Sequence, residues 1–406
     1  MIFKTFDIKH APKILRLARV FEMLMFIFPV ITLFYKFKGL SLGDFFLIQG
    51  IFSVFVFVLE IPTGYIGDLF SRKKVISLSF FAYFIGYLAW YLGSGFFVIL
   101  FGEFMFALAT SLYSGTAEAY LYDVLKKQGK EDKIIKQQGK LDTLTTFGTA
   151  FATFSGGFMY EFLGANNTIL IQLISILIGF ILTLYLPEIP EVKRVVEAGK
   201  SKIKDILSIA KYAAKHSEIK WLMLFPAVYS SGTLILMWGM QPLMENAKIP
   251  VFMFGIFMGI NQFMRALFAM FSDKLFKTLK TNRFCLFLVL ILTFGIISAL
   301  ICVKANNIYI CSILLVYIGF VAGSQIALRI VSSSMINHRI KPDERATVLS
   351  VKSMFSKIFT SLAMISLKFM FDYEGLFVTF ATVGVVILIL TIYPLKRLLK
   401  LNLLEK

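Results

Sequence analysis

Long apolar runs separated by short polar connections fill almost the whole chain. Each run is long enough for a membrane-spanning helix, which needs about 20 mostly apolar residues. Because backbone polar groups find no water in hydrocarbon, each run must be helical. The predicted fold is therefore all-α, a polytopic membrane protein. Its twelve predicted helices are residues 17–36, 42–66, 75–93, 96–122, 141–163, 168–186, 219–244, 250–272, 284–303, 308–335, 346–371 and 375–395.

The composition supports this prediction. Of the 406 residues, 58% are hydrophobic and 16% are charged, against about 45–50% and 25% in soluble domains. A soluble protein of this size could not bury so much apolar surface in one core. Twelve spans with short connections leave no room for a separate catalytic domain, so we expect no enzyme.

The charged residues indicate the orientation in the membrane. Lys and Arg number 42 against 24 Asp and Glu, and they lie in the connections rather than on one nucleic-acid-binding surface. Nearly all fall on one side; the other side has only Lys36, Lys38, Lys248 and Lys304. The positive-inside rule then places both termini in the cytoplasm. We expect a bacterial cytoplasmic membrane, contact with anionic lipids, and no nucleic-acid partner.

The chain divides into two similar halves. The longest polar stretch, 187–217, separates an amino-terminal six-helix bundle, 1–186, from a carboxyl-terminal one, 218–406. Segments 64–74 and 269–280 both place a small residue four positions before an Asp and a basic run after it. Such a repeat is typical of transporters whose two halves enclose a central site.

Metal and cofactor chemistry is not expected. Cys285, Cys302 and Cys311 have no C-x-x-C spacing, and no histidine lies near them as a second ligand type. Cys302 and Cys311 either form a disulfide or remain buried thiols, and the sequence leaves both open. A phosphate-binding loop is also missing from the sequence, so we expect a proton gradient as the energy source.

The connection after helix 2 has a distinctive spacing. Gly64, Asp68 and Arg72 form the pattern G-x-x-x-D-x-x-x-R-K, which resembles the signature loop of the major facilitator superfamily. The resemblance implies that Asp68 and Arg72 form a latch that steadies one conformation. Ser71 replaces the glycine usual before the basic pair. Glu118 and Asp123 at the end of helix 4 are expected near this latch, with Asp123 completing a charge relay with Arg72.

Helix 5 carries a second pattern. It resembles the G-x8-G-x3-G-P-x2-G-G motif of the superfamily's antiporters at Gly139, Gly148, Gly156 and Gly157. Ala152 and Thr153 stand in place of the central Gly-Pro, so the kink that a proline produces is not expected. The glycines are consistent either with antiport or simply with close helix packing. The resemblance to the superfamily covers essentially the whole chain and implies alternating access of two bundles.

Ionisable residues inside apolar runs need a partner, water or a function, because each costs at least about 2.5–3.5 kcal/mol at the bilayer centre. The candidates for proton or substrate binding are Glu22, Glu103, Arg265, Lys357, Gln241, Asn261 and Gln262. Glu22 is the first choice for the proton, and a structural salt bridge to Arg16 or Arg19 is the alternative. Arg329 and Lys352 are expected to snorkel to the cytoplasmic surface.

These observations predict a monomeric secondary transporter. The preferred hypothesis is a proton-coupled antiporter that exports a small amphiphilic compound such as a drug, an antibiotic or a secreted metabolite. The alternative is a proton-coupled symporter that imports a small polar or anionic nutrient. A receptor or lipid scramblase on the same scaffold is the rival from another class, and it would not need a proton-binding Glu22.

Overall fold

A computed structural model describes residues 7–189, 217–337 and 345–400, with most of their side chains. Within these ranges every regular element is helical. Eleven runs are long and apolar enough to cross a membrane. One of them, Glu131–Leu184, bends at Gly164, where φ is +81°, and so contains two helices. The prediction of twelve helices in an all-α membrane protein is confirmed for this part of the chain.

We label these membrane helices α1 to α12 in chain order. They are Ile8–Phe37, Leu42–Leu69, Arg72–Leu92, Phe96–Lys127, 134–163, 165–184, Ser217–Asn246, Val251–Lys280, Asn282–Ala305, Ile308–Asn337, Arg345–Tyr373 and Gly375–Lys400. Helices α1 and α5 begin earlier than predicted, because their basic amino-terminal turns continue the helix beyond the apolar run.

Two of the helices are discontinuous. Helix α1 consists of Ala11–Met23 and Ile31–Phe37, joined by non-helical residues and a short 3-10 turn that contains Pro29. Proline lacks the N–H that would continue the helical ladder. Helix α4 consists of Phe96–Tyr113 and Thr116–Lys127, joined through Gly115, whose φ of +76° favours glycine.

Contacts between residues divide the chain into two compact units. The first contains Met1–Leu40, Phe55–Gly199 and Val251–Gly255, and the second contains Ser41–Val54, Lys200–Pro250 and Ile256–Lys406. In the first unit, α1 packs against the α5–α6 pair and α3 packs against α4. Trp90 is central to this core: its ring lies 4.9 Å from that of Phe106, and its Nε1 donates to the carbonyl of Ile99.

Helix α7 is the centre of the second unit and packs against α10, α11 and α12. Buried hydroxyl pairs join it to two of these helices: Tyr229 to Ser324 of α10 at 2.6 Å, and Ser231 to Thr360 of α11 at 3.1 Å. Such bonds satisfy polar groups that have no water in hydrocarbon.

Segment 41–54 of α2 also belongs to the second unit, where it packs against α11. The Lys368 ammonium lies 2.7 Å from a carboxylate oxygen of Asp44 and 3.0 Å from one of Asp372. This three-residue ion cluster was not predicted from the sequence.

The three cysteines are buried and unpaired. The Cys311 thiol donates to the backbone carbonyl of Cys302 at 3.3 Å. Of the two states that the sequence allows for this pair, the structure therefore has free thiols.

Lys38, one of the few cations expected outside the cytoplasm, has a structural role in the α1–α2 connection. Its side chain is buried, and Nζ donates to the carbonyls of Tyr91 and Gly93 at 3.3 and 2.9 Å, at the carboxyl end of α3. The negative end of a helix dipole attracts a cation. Burial lowers the pKa of the Lys38 ammonium, and these carbonyls offset part of the cost of burying it.

We expect Lys38→Met to lower the apparent melting temperature of the purified protein. The change leaves two carbonyls without their donor, which costs about 1–3 kcal/mol. Lys36→Met, at an exposed position two residues earlier, is the matched control. Equal losses in the two variants, measured by thermal unfolding in detergent, would contradict the capping role.

Candidate functional site

The break in α1 is the feature on which the site of the first unit is built. Residues 24–27 are not helical, so backbone groups beside them lose their partners within the helix. Two polar side chains of α6 replace those partners. The Phe26 N–H donates to Gln172 Oε1 at 2.7 Å, and Ser175 Oγ donates to the Phe21 carbonyl at 2.7 Å. The break is thus held in place by hydrogen bonds from a neighbouring helix.

Glu22 lies in the last helical turn before this break and is 4% exposed. Its carboxylate forms an ion pair with Arg19, and Tyr83 of α3 lies beside it. Tyr83 also bonds Thr110 of α4 at 2.7 Å. The Arg19 guanidinium stacks over the Tyr113 ring at 4.3 Å from its centroid. The cluster therefore joins α1, α3 and α4.

The cluster bears on both roles that the sequence left open for Glu22. The salt bridge is made by Arg19, while Arg16 donates instead to Gln137 Oε1 at 2.7 Å. Pairing does not exclude proton binding, because a carboxylate withdrawn from water can neutralise its charge by taking a proton. Arginine cannot lose its proton in this way. Glu22 is thus the member of the pair whose charge can change.

Glu103 has a different environment. It is buried, and it accepts a hydrogen bond from the Tyr35 hydroxyl at 2.6 Å. The preceding residue, Gly102, lies directly against the Trp90 ring, where a larger side chain would collide. Glu103 thus lies within the aromatic core of the first unit and connects α4 to the second half of α1.

Part of the predicted latch is present among the described residues. Arg72 forms an ion pair with Asp123 and donates to the Ala119 carbonyl at 3.0 Å. Glu118 is exposed and takes no part in this contact. The surroundings of Gly64 and of the Asp68 side chain lie outside what the structure describes.

Another acidic residue beside this loop was not predicted from the sequence. Glu188, at the end of the first unit, accepts a hydrogen bond from Ser71 at 3.1 Å and lies 3.8 Å from the Lys74 ammonium. It follows Pro187 in the connection after α6, a position that gave no signal beyond a single charge.

The helix 5 glycines differ in their surroundings. A Cβ on Gly156 would collide with the backbone carbonyl of Phe26, beside the α1 break. A Cβ on Gly157 would lie 2.8 Å from the Gly255 nitrogen. A Cβ on Gly148 would lie 3.3 Å from a methyl carbon of Val20. A Cβ on Gly139 would meet no atom within 4 Å beyond its own helix backbone. Three of the four glycines thus lie at helix contacts, which is the packing role that small residues have in membranes.

The predicted polar residues of the second unit lie on α7, α8 and α11. Gln241 and Asn261 are buried. Asn261 Nδ2 lies 3.8 Å from Met240 Sδ, and its Oδ1 has no hydrogen-bond partner in the described part of the chain. The remaining predicted residues, Gln262, Arg265 and Lys357, are half-buried.

The second unit also contains a cavity of about 250 Å³. It is lined by Pro226, Ala227, Ser230, Gln325, Arg329, Ser333, Lys352, Ser353 and Ser356. Lys352, which was expected to snorkel, has partners within the second unit, because its ammonium bonds Ser332 and Ser333 of α10 at 2.6 and 3.0 Å. The spacing of Gln325, Arg329 and Ser333 is the signal that could have identified this surface, since residues four apart share a helix face.

Comparisons with known proteins agree with this architecture. A family model described as the Major Facilitator Superfamily matches residues 20–331. No curated protein matches the chain. The chain is similar to the solved nucleoside transporter NupG, with 16% identity, 97% of this chain and 99% of that chain covered, and a TM-score of 0.75.

Two other solved structures are also similar. One is a POT family transporter in complex with 5-aminolevulinic acid, with 12% identity, 96% of each chain covered and a TM-score of 0.71. The other is the human organic anion transporter MFSD10, with 14% identity, 97% of this chain and 100% of that chain covered, and a TM-score of 0.61. At these identities the similarity concerns the fold.

We expect Glu22 and Arg19 to be energetically coupled. Glu22→Gln and Arg19→Gln should each lower the apparent melting temperature, because each leaves the other group without its ionic partner. The double variant should lose less than the sum of the two, with a coupling of about 0.5–3 kcal/mol. Additive losses in thermal unfolding would contradict a direct interaction between the two side chains.

We expect Gly156→Ala to destabilise the protein by about 1–3 kcal/mol, since the added methyl group overpacks the α1 break. Gly139→Ala, on the same helix but in open space, should be neutral or slightly stabilising because alanine favours the helix. Thermal unfolding of the two variants in detergent makes the comparison. Similar stability of the two variants would contradict the close contact between Gly156 and the Phe26 carbonyl.

Proposed function

The chain belongs to the Major Facilitator Superfamily, and we propose that it is a proton-coupled secondary transporter with Glu22 as the proton site. The superfamily implies a multi-pass membrane protein with a transport role rather than catalysis. The observation that carries the proposal is the position of Glu22, buried at a break in α1 and paired with Arg19. Coupling sites in secondary transporters commonly lie at such discontinuous helices.

Protonation of Glu22 would change the forces at this break. With Glu22 ionised, Arg19 is held by a carboxylate on one side and by the Tyr113 ring on the other. A proton on Glu22 removes the charge that attracts Arg19. Tyr113 is the last residue of the first α4 segment, directly before the bend at Gly115. Protonation of Glu22 would therefore affect both the break in α1 and the bend in α4, through the contacts of Arg19 with Tyr113.

Antiport is the mode that we propose first, with export of a small amphiphilic compound such as a drug, an antibiotic or a secreted metabolite. The resemblance of the helix 5 glycines to the antiporter motif supports it, together with their close packing. Gly156 lies against the Phe26 carbonyl, which belongs to the same break as Glu22. Movement of α5 and movement at the proton site are therefore sterically linked.

Symport of a small polar or anionic nutrient is the second candidate. The observation that favours it is the cavity of the second unit, which Arg329 and Lys352 line. A cationic, hydroxyl-rich surface suits a polar solute better than an apolar one. The solved nucleoside, POT family and organic anion transporters to which the chain is similar do not decide between the two modes, because that similarity concerns the fold.

The proposal includes the cellular setting. The proton gradient across a bacterial cytoplasmic membrane would supply the energy, without a bound cofactor. Both termini would face the cytoplasm, as the distribution of Lys and Arg predicts. One chain contains both bundles that alternating access needs, so a monomer would suffice.

The test is a measurement of lumenal pH in vesicles that contain the purified protein, with no imposed gradient. Amphiphilic cations, neutral amphiphiles and small carboxylates are added outside, one at a time. Antiport should make the lumen alkaline, because inward movement of the compound drives protons out, and symport should make it acidic. Glu22→Gln should abolish either signal, since the amide cannot bind the proton.

Glu131→Gln is the matched control, at an exposed carboxylate outside the cluster, and should leave the signal unchanged. A pH change that persists in Glu22→Gln would contradict the assignment of the proton site. Movement of a labelled compound without any pH change would contradict proton coupling itself.

A further inference from the structure

The cavity of the second unit is built from one face of each of three helices. Helix α10 contributes residues four apart, Gln325, Arg329 and Ser333. Helix α11 contributes Lys352, Ser353 and Ser356, and α7 contributes Pro226, Ala227 and Ser230. These spacings align the side chains of each helix on a single side. The polar lining is therefore a continuous surface and not a set of unrelated residues.

The lining is cationic and rich in donors. The nine lining residues that the structure describes include two cations, four serines and one glutamine, and no carboxylate. Arg265 lies within electrostatic range of Arg329, which adds a third positive charge beside the cavity. Among the residues that the structure describes, Arg265, Arg329 and Lys352 form no salt bridge. Like charges held close together repel one another, and an anion between them would relieve that repulsion.

Lys352 is fixed in place by neutral groups. Its Nζ donates to Ser332 Oγ at 2.6 Å and to Ser333 Oγ at 3.0 Å. These hydroxyls accept its hydrogen bonds but do not neutralise its charge. Because Ser333 accepts from the ammonium, its own O–H remains to donate to a group inside the cavity. The site thus presents charge and hydroxyl donors together.

The helices behind the cavity are held by further polar contacts. Gln325 Nε2 lies 3.4 Å from Ser230 Oγ, and the buried Tyr229–Ser324 pair joins the same two helices. The Ser231–Thr360 pair joins α7 to α11. A binding surface whose supporting side chains are bonded in this way is preorganised for its ligand.

From this geometry we propose that the cavity binds an oxyanion, the carboxylate, phosphate or sulfonate group of the transported compound. The planar fork of Arg329 matches the paired oxygens of such a group, and Lys352 and the serine hydroxyls supply the remaining donors. The volume of about 250 Å³ holds roughly eight waters at about 30 Å³ each, so it accommodates a small organic anion. That the oxyanion belongs to a transported compound rests on the proposed function, whereas the binding of an oxyanion to the cavity does not.

The experiment compares three probes of nearly equal shape, benzoate, benzamide and benzamidine, and adds phenyl phosphate as a second anion. Thermal unfolding is followed in detergent at fixed chloride concentration and ionic strength as each probe is titrated. Benzoate and phenyl phosphate should raise the apparent melting temperature, whereas the neutral and cationic probes should not. Arg329→Gln and Lys352→Gln should each weaken the apparent affinity for benzoate at least about tenfold, since charge-assisted bonds are lost.

Three further variants keep the test decisive. Lys352→Arg should retain affinity because it retains the charge, which separates loss of binding from misfolding. Arg283→Gln, at an exposed cation at the start of α9, should bind benzoate as the parent protein does. Glu22→Gln should also keep anion binding, so that failure of the proton site and failure of the anion site give different results.

The proposal is overturned if benzamide stabilises the protein as well as benzoate does, or if the Arg329 and Lys352 variants bind benzoate normally. A lipid headgroup offers the same chemistry from another source. Nanodiscs of phosphatidylglycerol and of phosphatidylcholine therefore form a second arm. If only phosphatidylglycerol stabilises the protein, through Arg329 and Lys352, while soluble anions have no effect, the site binds lipid and not the transported compound.

Discussion

Hydrocarbon offers no hydrogen-bond partner to the backbone, and the first unit is organised around that constraint. A break in α1 leaves backbone groups without their partners in the helix, and each unsatisfied group in hydrocarbon costs several kcal/mol. Gln172 and Ser175 of α6 supply the missing partners at Phe26 and Phe21. The break can therefore exist only where α6 presents these side chains, and its location in turn determines where Glu22 lies.

Close packing confines the same break from another side. Gly156 of α5 lies directly against the Phe26 carbonyl, so the α1 backbone is held between a glycine surface and an amide side chain. Close-packed interfaces change between discrete arrangements more readily than they deform continuously. The buried Glu22–Arg19 pair lies at this position, where in the proposed mechanism a proton on Glu22 would alter the forces on both α1 and α4.

Hydropathy predicted the twelve helices, and the spacing of the loop after helix 2 indicated the family, but neither predicted the internal geometry of α1 and α4. Leu24 to Ile27 are as apolar as the helix around them, so the break leaves the hydropathy pattern unchanged, and Pro29 was its only local signal. The ion pair of Arg72 with Asp123 was predictable from the sequence, because the loop has a specific spacing. The environment of Lys352 was not, since it depends on how α10 and α11 are rotated about their axes. For a cation near a helix end, the sequence shows that the side chain can reach the membrane surface but not which side chains surround it.

Ionisable side chains in the two units respond differently to their surroundings. Glu22 and Glu103 are buried carboxylates, each bonded within the first unit to Arg19 or to Tyr35. A carboxylate can lose its charge by binding a proton. Arg329 has no such option, because a guanidinium does not release its proton in proteins. Its charge must be met by water or by an anion. We therefore propose proton exchange in the first unit and anion recognition in the second.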